Sequence, residues 1–384
     1  VTGSFADSED ELLESAIARA GFDDFGPDEF RPGLRALLAA LDENSMLNPI
    51  GDFAIRRMIA GHLAARLTAE RGFRAHPESA ENPIERPLVI VGLPRTGTTA
   101  LQEMLALDPQ FQGLELWLTR APKPRPERDS WEEDPDYREC AASVDMIREH
   151  QPELHAIHKM EAWKVDECWN LAAQSFAHSS WLAQTALPGY RSFFEQCDMV
   201  PVYERHKRNL QLIGSRKPQT RWLLKDSTHL FALDAFLEVY PDACVVYTHR
   251  DPIEAIPSVC SLCWAARHAL NTGESREAYG RETLDLWHMA VERTLDVREA
   301  LGEGGRQRFH DVSFPDFKAN PLGVIEGIYQ RFGFDLSSET RAKMEAFREE
   351  SAPPLHRYTL EQWGLDEASI NERFARYRAV HDRG

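Results

Sequence analysis

The residues most suited to chemistry lie in the run VGLPRTGTT, Val91 to Thr99. A short apolar stretch, Leu88 to Val91, precedes it and a helical pattern, Thr98 to Leu107, follows it. A turn from a buried strand into a helix aims a row of backbone N–H groups and the positive helix end at one point, which is a place for an anion. Gly92 lets the chain leave the strand tightly, and Gly97 lets the backbone come close to a phosphate. Thr98 and Thr99 offer hydroxyls, Arg95 supplies charge, and Pro94 and Thr96 complete the candidate cofactor-binding loop. The Gly92–Gly97 spacing fits the triphosphatase pattern G-x-x-x-x-G-K-[ST], but Thr98 stands where the lysine would reach the β and γ phosphates. With the cation moved to Arg95, the loop suits a cofactor with one phosphate at that end. The apolar run ending at Leu224 leads into Lys225 rather than an acidic pair that would hold magnesium, so no metal is called for.

A second cluster, VVYTHRDPIEAIPS, runs from a strand pattern through Arg250 into a helix that carries Ser258. Pro252 sits where a first helical turn tolerates it. With Arg250 at the strand exit and Ser258 two turns into the helix, both can face one phosphate. By themselves the two residues are equally compatible with an ordinary surface. Beside the first loop they gain meaning.

These loops need strands to hold them. Leu88 to Val91, Trp222 to Leu224 and Ala243 to Tyr247 are short continuous apolar runs, the pattern of strands buried on both faces of a parallel sheet. A helical pattern at Leu230, Leu233, Leu237 and Tyr240 lies between the last two, giving a right-handed crossover. Arg308 to Phe314 is a further strand, followed by a helix at Leu322 to Phe332. The fold class expected is α/β, a three-layer α/β/α arrangement with a central parallel sheet and a P-loop-like nucleotide-binding core plus added helices. Residues 83–129 and 215–335 make up that core.

Residues 1–82 read as a helical segment packed on the core, with Leu12, Leu13, Ile17 and Ala20, then Leu34, Leu37, Leu38 and Leu41, then Ile55, Met58, Ile59, Leu63 and Leu67 at helical spacing. The segment HPESAENPIERP breaks the pattern as a linker. Residues 130–214, rich in aromatic residues, read as a helical insertion that forms an acceptor pocket or lid or else packs on the core; 336–384 form a helical tail. Trp163, Trp169, Trp181, Tyr190 and Phe194 are candidates for apolar pocket walls.

Composition sets bounds. The 384 residues are 42% hydrophobic and 28% charged, with no apolar tract long enough for a transmembrane helix. A net charge of -18 argues against a nucleic-acid partner, since polyanions are repelled unless basic residues are segregated. It also makes basic residues beside glycine turns informative. Six cysteines are too sparse for a disulfide framework, and the Cys260–Cys263 pair falls inside a helix pattern rather than at a redox-active helix start. The first residues carry no basic cluster or apolar stretch of a secretion signal, so a cytoplasmic protein is expected.

With these blocks in view, the sequence resembles the bacterial branch of the sulfotransferases that use 3′-phosphoadenosine 5′-phosphosulfate. Their 5′-phosphosulfate loop, P-K/R-S/T-G-T-T, is matched by Pro94 to Thr99; their 3′-phosphate arginine and serine by Arg250 and Ser258; and the pattern L-K-S/D-P/S-x-H-L by Leu224 to Leu230. The likeness runs from about Pro87 to Tyr358. It implies transfer of a sulfuryl group to an acceptor alcohol, with adenosine 3′,5′-bisphosphate as product. Many members have lysine where Arg95 stands, and their carboxyl-terminal nucleotide loop is basic and glycine-containing, whereas SAPPLHRYTL offers Arg357 and no glycine. Arg357 is the candidate third contact to the 3′-phosphate.

Such a transfer needs in-line oxygens and donors for the charge growing on the leaving phosphate, roles for Arg95, Lys225 and the loop N–H groups. It also needs a general base. His229 lies near the position of a histidine in the relatives' K-T-H-L, two residues farther from its lysine. Glu115 stands where other relatives place a glutamate, shortly after the Asp108–Pro109 turn. The reading leans to His229, whose ordinary pKa lies near neutrality. Asp166, Glu167 and Trp163 are candidates for holding the acceptor, a small molecule, lipid or glycan. The rivals are a magnesium-dependent nucleotide kinase or triphosphatase, and a noncatalytic nucleotide-binding protein.

Overall fold

Strand β1, Leu88–Gly92, is buried at every position, as a continuous apolar run in a parallel sheet should be. In the computed structural model, which describes residues 3–44, 46–150, 160–347 and 359–381, it lies at the centre of a five-stranded sheet. The other strands are β2 (Phe111–Gln112), β3 (Arg221–Lys225), β4 (Cys244–His249) and β5 (Phe309–Ser313). Their order is β2-β3-β1-β4-β5, all parallel. Leu88 is in register with both Leu223 and Cys244. The chain leaves β1 toward β2 and β3, then crosses back to β4, so the order reverses beside β1. At such a point the loops after neighbouring strands diverge and leave a crevice at the carboxyl edge.

Both sheet faces are closed. Leu88, Ile90, Leu223, Cys244 and Val246 meet Leu101, Met104 and Leu105 of helix Thr98–Leu105 and Ile325, Ile328 and Phe332 of helix Pro321–Phe332. The alternate residues Val89, Leu224, Val245 and Tyr247 are equally buried. On β1 packs the 3-10 turn Ser227–Phe231, and on that turn packs helix Arg276–Ala300. The three-layer α/β core expected from the strand patterns is present. The two-residue β2 and helix Arg276–Ala300 had no counterpart in the sequence reading.

The chain forms two compact units: Val1–Ile84 with Leu114–Gln219 and Cys263–Glu274, and Glu85–Gly113 with Thr220–Leu262 and Ser275–Gly384. The second holds the whole sheet. The first is helical, with Glu9–Ala20, Arg31–Asn44 and Pro49–Ala75 burying Leu12, Leu13, Leu34, Leu37, Leu38, Leu41, Ile55, Ile59, Leu63 and Leu67. Residues 114–129, expected with the sheet, fall in this helical unit. So do helices Pro135–His150, Trp169–Ala173, Pro188–Gln196 and Val200–Ile213 of the insertion. Among the described residues, no helix is long and apolar enough to cross a membrane.

Candidate functional site

The loop after β1 is shaped by three positive φ angles: 148° at Gly92, 71° at Arg95 and 87° at Gly97. A Cβ on Gly92 would come within 2.3 Å of Thr248 Oγ1 and 2.6 Å of the Thr248 carbonyl, so only glycine passes between β1 and β4 here. Gly97 caps helix Thr98–Leu105, and a Cβ there would meet the Phe314 ring at 2.9 Å. The turn therefore brings bare backbone N–H groups to the start of a helix, a fit for a phosphate group.

Thr96 turns inward. Its hydroxyl donates to the Leu93 carbonyl at 2.6 Å and lies 2.6 Å from the Thr248 hydroxyl, pinning the loop to β4. Thr98 is buried too, whereas Thr99 is exposed, with Lys225 Nζ donating to its hydroxyl at 3.4 Å. The sequence suggests the Thr98 and Thr99 hydroxyls as donors to the phosphate, and Thr96 as a further loop contact. Thr96 is thus engaged within the protein, and Thr98 is buried while Thr99 is exposed.

Three cations converge on this edge within the sheet unit. Arg95 Nε donates to Ser258 Oγ at 3.2 Å. Arg250 Nη1 donates to the Arg95 carbonyl at 3.0 Å, its guanidinium lies 4.8 Å from the Phe314 ring centroid, and Glu254 one helical turn on accepts from it at 3.0 Å. Lys225, at the end of β3, is 1% exposed. Motifs about 155 residues apart in sequence thus share one hydrogen-bonded group, because they leave neighbouring parallel strands at the same edge.

His229 does not open to solvent. It sits in the turn Ser227–Phe231 at 1% exposure, its ring 4.7 Å from that of Phe236. The neighbouring carbonyls of Leu230 and Phe231 accept from Thr294 and Arg293 of helix Arg276–Ala300. Such a position suits a core histidine, although Lys225 is buried to the same degree. Arg357 lies outside the described residues.

In the helical unit, Glu115 stands three residues beyond β2 and Arg125 donates to its Oε2 at 3.0 Å through both Nε and Nη2. Its Oε1 has no hydrogen-bond partner among the described residues. Glu115 forms an antiparallel bridge with Val165, extended by Leu116 N–H to the Lys164 carbonyl at 3.0 Å and Asp166 N–H to the Leu114 carbonyl at 2.8 Å. Asp166 and Trp163 therefore lie on the segment bridged to Glu115. Asp166 is buried and accepts from the Glu167 N–H at 2.6 Å; Trp163 is 50% exposed. Trp181, Tyr190 and Phe194, expected as pocket walls, are closed into the interior, Trp181 stacking on Phe176 and Tyr190 Oη donating to the Phe176 carbonyl at 2.8 Å.

A third feature went unread in the sequence. His249, just before Arg250, lies between Asp311 Oδ1 at 2.7 Å and Tyr377 Oη at 3.0 Å, with the His381 ring stacked at 3.8 Å. Burial pushes the His249 pKa down despite Asp311, so Nε2–H donates to the carboxylate and Nδ1 accepts from Tyr377. The set His249, Asp311 and His381 has the residue types of a metal site. Two features oppose that use: Arg298 already binds both Asp311 oxygens at 2.6 and 2.8 Å, and stacked imidazoles direct their lone pairs side by side rather than to one point. The cluster instead ties the carboxyl-terminal helix Ala375–His381 to the residue preceding Arg250.

Residues 87–338 match the sulfotransferase family. The omega-hydroxy-beta-dihydromenaquinone-9 sulfotransferase Stf3 of Mycobacterium bovis is 27% identical over 260 residues, covering 64% of this chain and 62% of that protein, and the Mycobacterium tuberculosis protein of the same name matches equally. The chain thus aligns with less than two thirds of the Stf3 length. Among solved structures, sulfotransferase STF1 of Mycobacterium tuberculosis H37Rv is 37% identical with a TM-score of 0.89, over 97% of this chain and 100% of that one. Sulfotransferase STF9 of Mycobacterium avium is 27% identical with a TM-score of 0.88, over 97% and 96%.

Proposed function

The chain belongs to the sulfotransferase family, and from that premise we propose that it transfers the sulfuryl group of 3′-phosphoadenosine 5′-phosphosulfate to the hydroxyl of an acceptor. The observation that carries this reading is the bonded group Arg250–Arg95–Ser258, which joins the two anion-binding motifs of one nucleotide. When bound, that nucleotide would supply the sulfuryl group, with adenosine 3′,5′-bisphosphate leaving through its 5′-phosphate oxygen. The Gly92–Thr99 backbone and Arg95 hold the 5′ end, and Arg250 and Ser258 the 3′-phosphate, with Arg357 as a further candidate. Lys225 meets charge growing at the leaving oxygen, where a fixed cation in a dry site stabilises it more than water would. No magnesium is required.

For the base we propose Glu115 in place of His229. Arg125 occupies only Oε2, leaving Oε1 for an acceptor proton, and Glu115 follows β2 in the chain by three residues. Asp166, Glu167 and Trp163 on the bridged segment would orient the acceptor. The name of the Stf3 relatives makes a hydroxyl on a lipid the acceptor class we favour, ahead of a glycan. Incubation with donor and a lipid extract, followed by mass spectrometry, tests this. A new sulfated lipid that is lost with Arg95→Ala is expected; no sulfated product from any extract would contradict the reading.

A further inference from the structure

The opposite edge of the sheet gathers arginines. Arg86 lies just before β1, Arg221 begins β3, Arg308 lies just before β5, and Arg331 is near the end of helix Pro321–Phe332. Arg86, Arg308 and Arg331 line a cavity of about 430 Å³ with Asp242, Gln307, Gly304 and Phe332. Arg221 adjoins them: its guanidinium is 4.3 Å and that of Arg86 5.4 Å from the same Phe334 ring. β1 separates this cavity from the phosphate loop by roughly 16 Å, at about 3.3 Å per residue.

Part of the cluster has a structural duty. Arg86 donates to the Phe332 carbonyl at 2.5 Å, Arg308 to Tyr240 at 2.9 Å, and Arg331 to Phe309 at 3.1 Å and Arg306 at 2.8 Å, several of these being helix ends, where cations are favoured. Those bonds use one or two of the five N–H groups on each guanidinium. They do not neutralise four full charges. Among the described residues none of the four pairs with a carboxylate; the single acid on the cavity wall, Asp242, accepts from the backbone N–H of Arg86 at 2.8 Å. The Nε atoms of Arg221 and Arg308 are buried without a hydrogen-bond partner among the described residues. Burial, and then the charge of Arg86, pulls the Arg221 guanidinium below its ordinary value. Three guanidiniums on the cavity wall and a fourth beside it, with Asp242 the one carboxylate on that wall and Glu85 near Arg221, leave an excess of positive charge in a chain of net charge -18, a place for a counter-anion.

We propose that this cavity binds a small multiply charged oxyanion, either free or as the phosphate end of a nucleotide, at a site separate from the phosphate loop. The guanidinium forks match tetrahedral oxyanions in geometry and charge. Calorimetric titration with inorganic pyrophosphate and, separately, ADP tests it. Gln307→Glu and Gly304→Glu place a carboxylate in the cavity while leaving every arginine–carbonyl bond intact, and a Cβ on Gly304 meets nothing within 4 Å. Wild-type protein should bind pyrophosphate, about tenfold or more weakly in either variant, as like charge across an interface dictates. The melting temperature of the variants should hold or rise, because the new acid meets uncompensated cations. Arg250→Ala should retain the binding. Tighter ADP assigns the cavity to a nucleotide, and equal affinity to the free ion; both support the site. No binding by the wild type, or equal binding in wild type and both variants, overturns it.

Discussion

Arg250 donates through Nη1 to the main-chain carbonyl of Arg95 at 3.0 Å, so the side chain that follows β4 holds the backbone of the loop that follows β1. Losing it removes a brace on the loop together with the phosphate contact proposed for it. Charge-assisted hydrogen bonds are worth about 1.5–3 kcal/mol. Arg250→Ala should therefore weaken adenosine 3′,5′-bisphosphate by about 10- to 100-fold in calorimetry, and Arg250→Lys should fall between, since an ammonium lacks the planar fork. Unchanged affinity in both would remove Arg250 from the site.

Gly97 has φ of 87° and its missing Cβ would stand 2.9 Å from Phe314. The left-handed conformation alone costs a residue with a side chain about 1–2 kcal/mol. Gly97→Ala should lower the melting temperature by a few degrees and weaken the nucleotide further than that loss explains, because the backbone N–H groups shift. A variant that binds normally would show that the loop does not need this glycine.

Glu115 and His229 separate by their readouts. Glu115→Gln should lower kcat by about 10²- to 10⁴-fold, the usual worth of a general base, with nucleotide affinity nearly unchanged. His229→Asn, in a buried position against Phe236, should act on stability first. The reverse pattern would restore the histidine as base.

How far the sequence carries depends on how local each signal is. The parallel core was legible because strands buried on both faces become continuous apolar runs at β1, β3 and β4. The turn from β1 into helix Thr98–Leu105 was legible because glycines and a cation recur at fixed spacing between a strand and a helix. β2 was not, since two residues carry no period and pair only because β3 is beside them. Helix Arg276–Ala300 was passed over despite a capping Ser275 whose hydroxyl accepts from the Ala278 N–H at 3.1 Å. The interior placement of His229, Tyr190 and Trp181 depends on tertiary packing, which residue type alone does not report. The His249–Asp311–Tyr377 cluster joins residues up to 128 apart, beyond any local pattern.

Three histidines of the helical unit give stability a pH dependence. Burial lowers His62 and His206 to about 3 and His178 to about 4. Above the unfolded value of about 6.5, neither state binds these protons and the histidines cost nothing. Below it the unfolded chain takes protons that the folded chain refuses, so stability falls as pH drops toward those lowered values. At pH 5 each histidine should cost about 2 kcal/mol. Thermal melts should lose ground between pH 6.5 and 5, before ordinary carboxylates titrate; melting temperatures that stay level across that range would mean that the rings are not held neutral.

The most direct test of the nucleotide assignment is calorimetric titration of the intact protein with adenosine 3′,5′-bisphosphate in a chelator that removes magnesium. One nucleotide should bind per chain, and binding should be strongly weakened by Arg95→Ala. Absence of binding, or binding only of ATP and only with magnesium restored, would contradict the account.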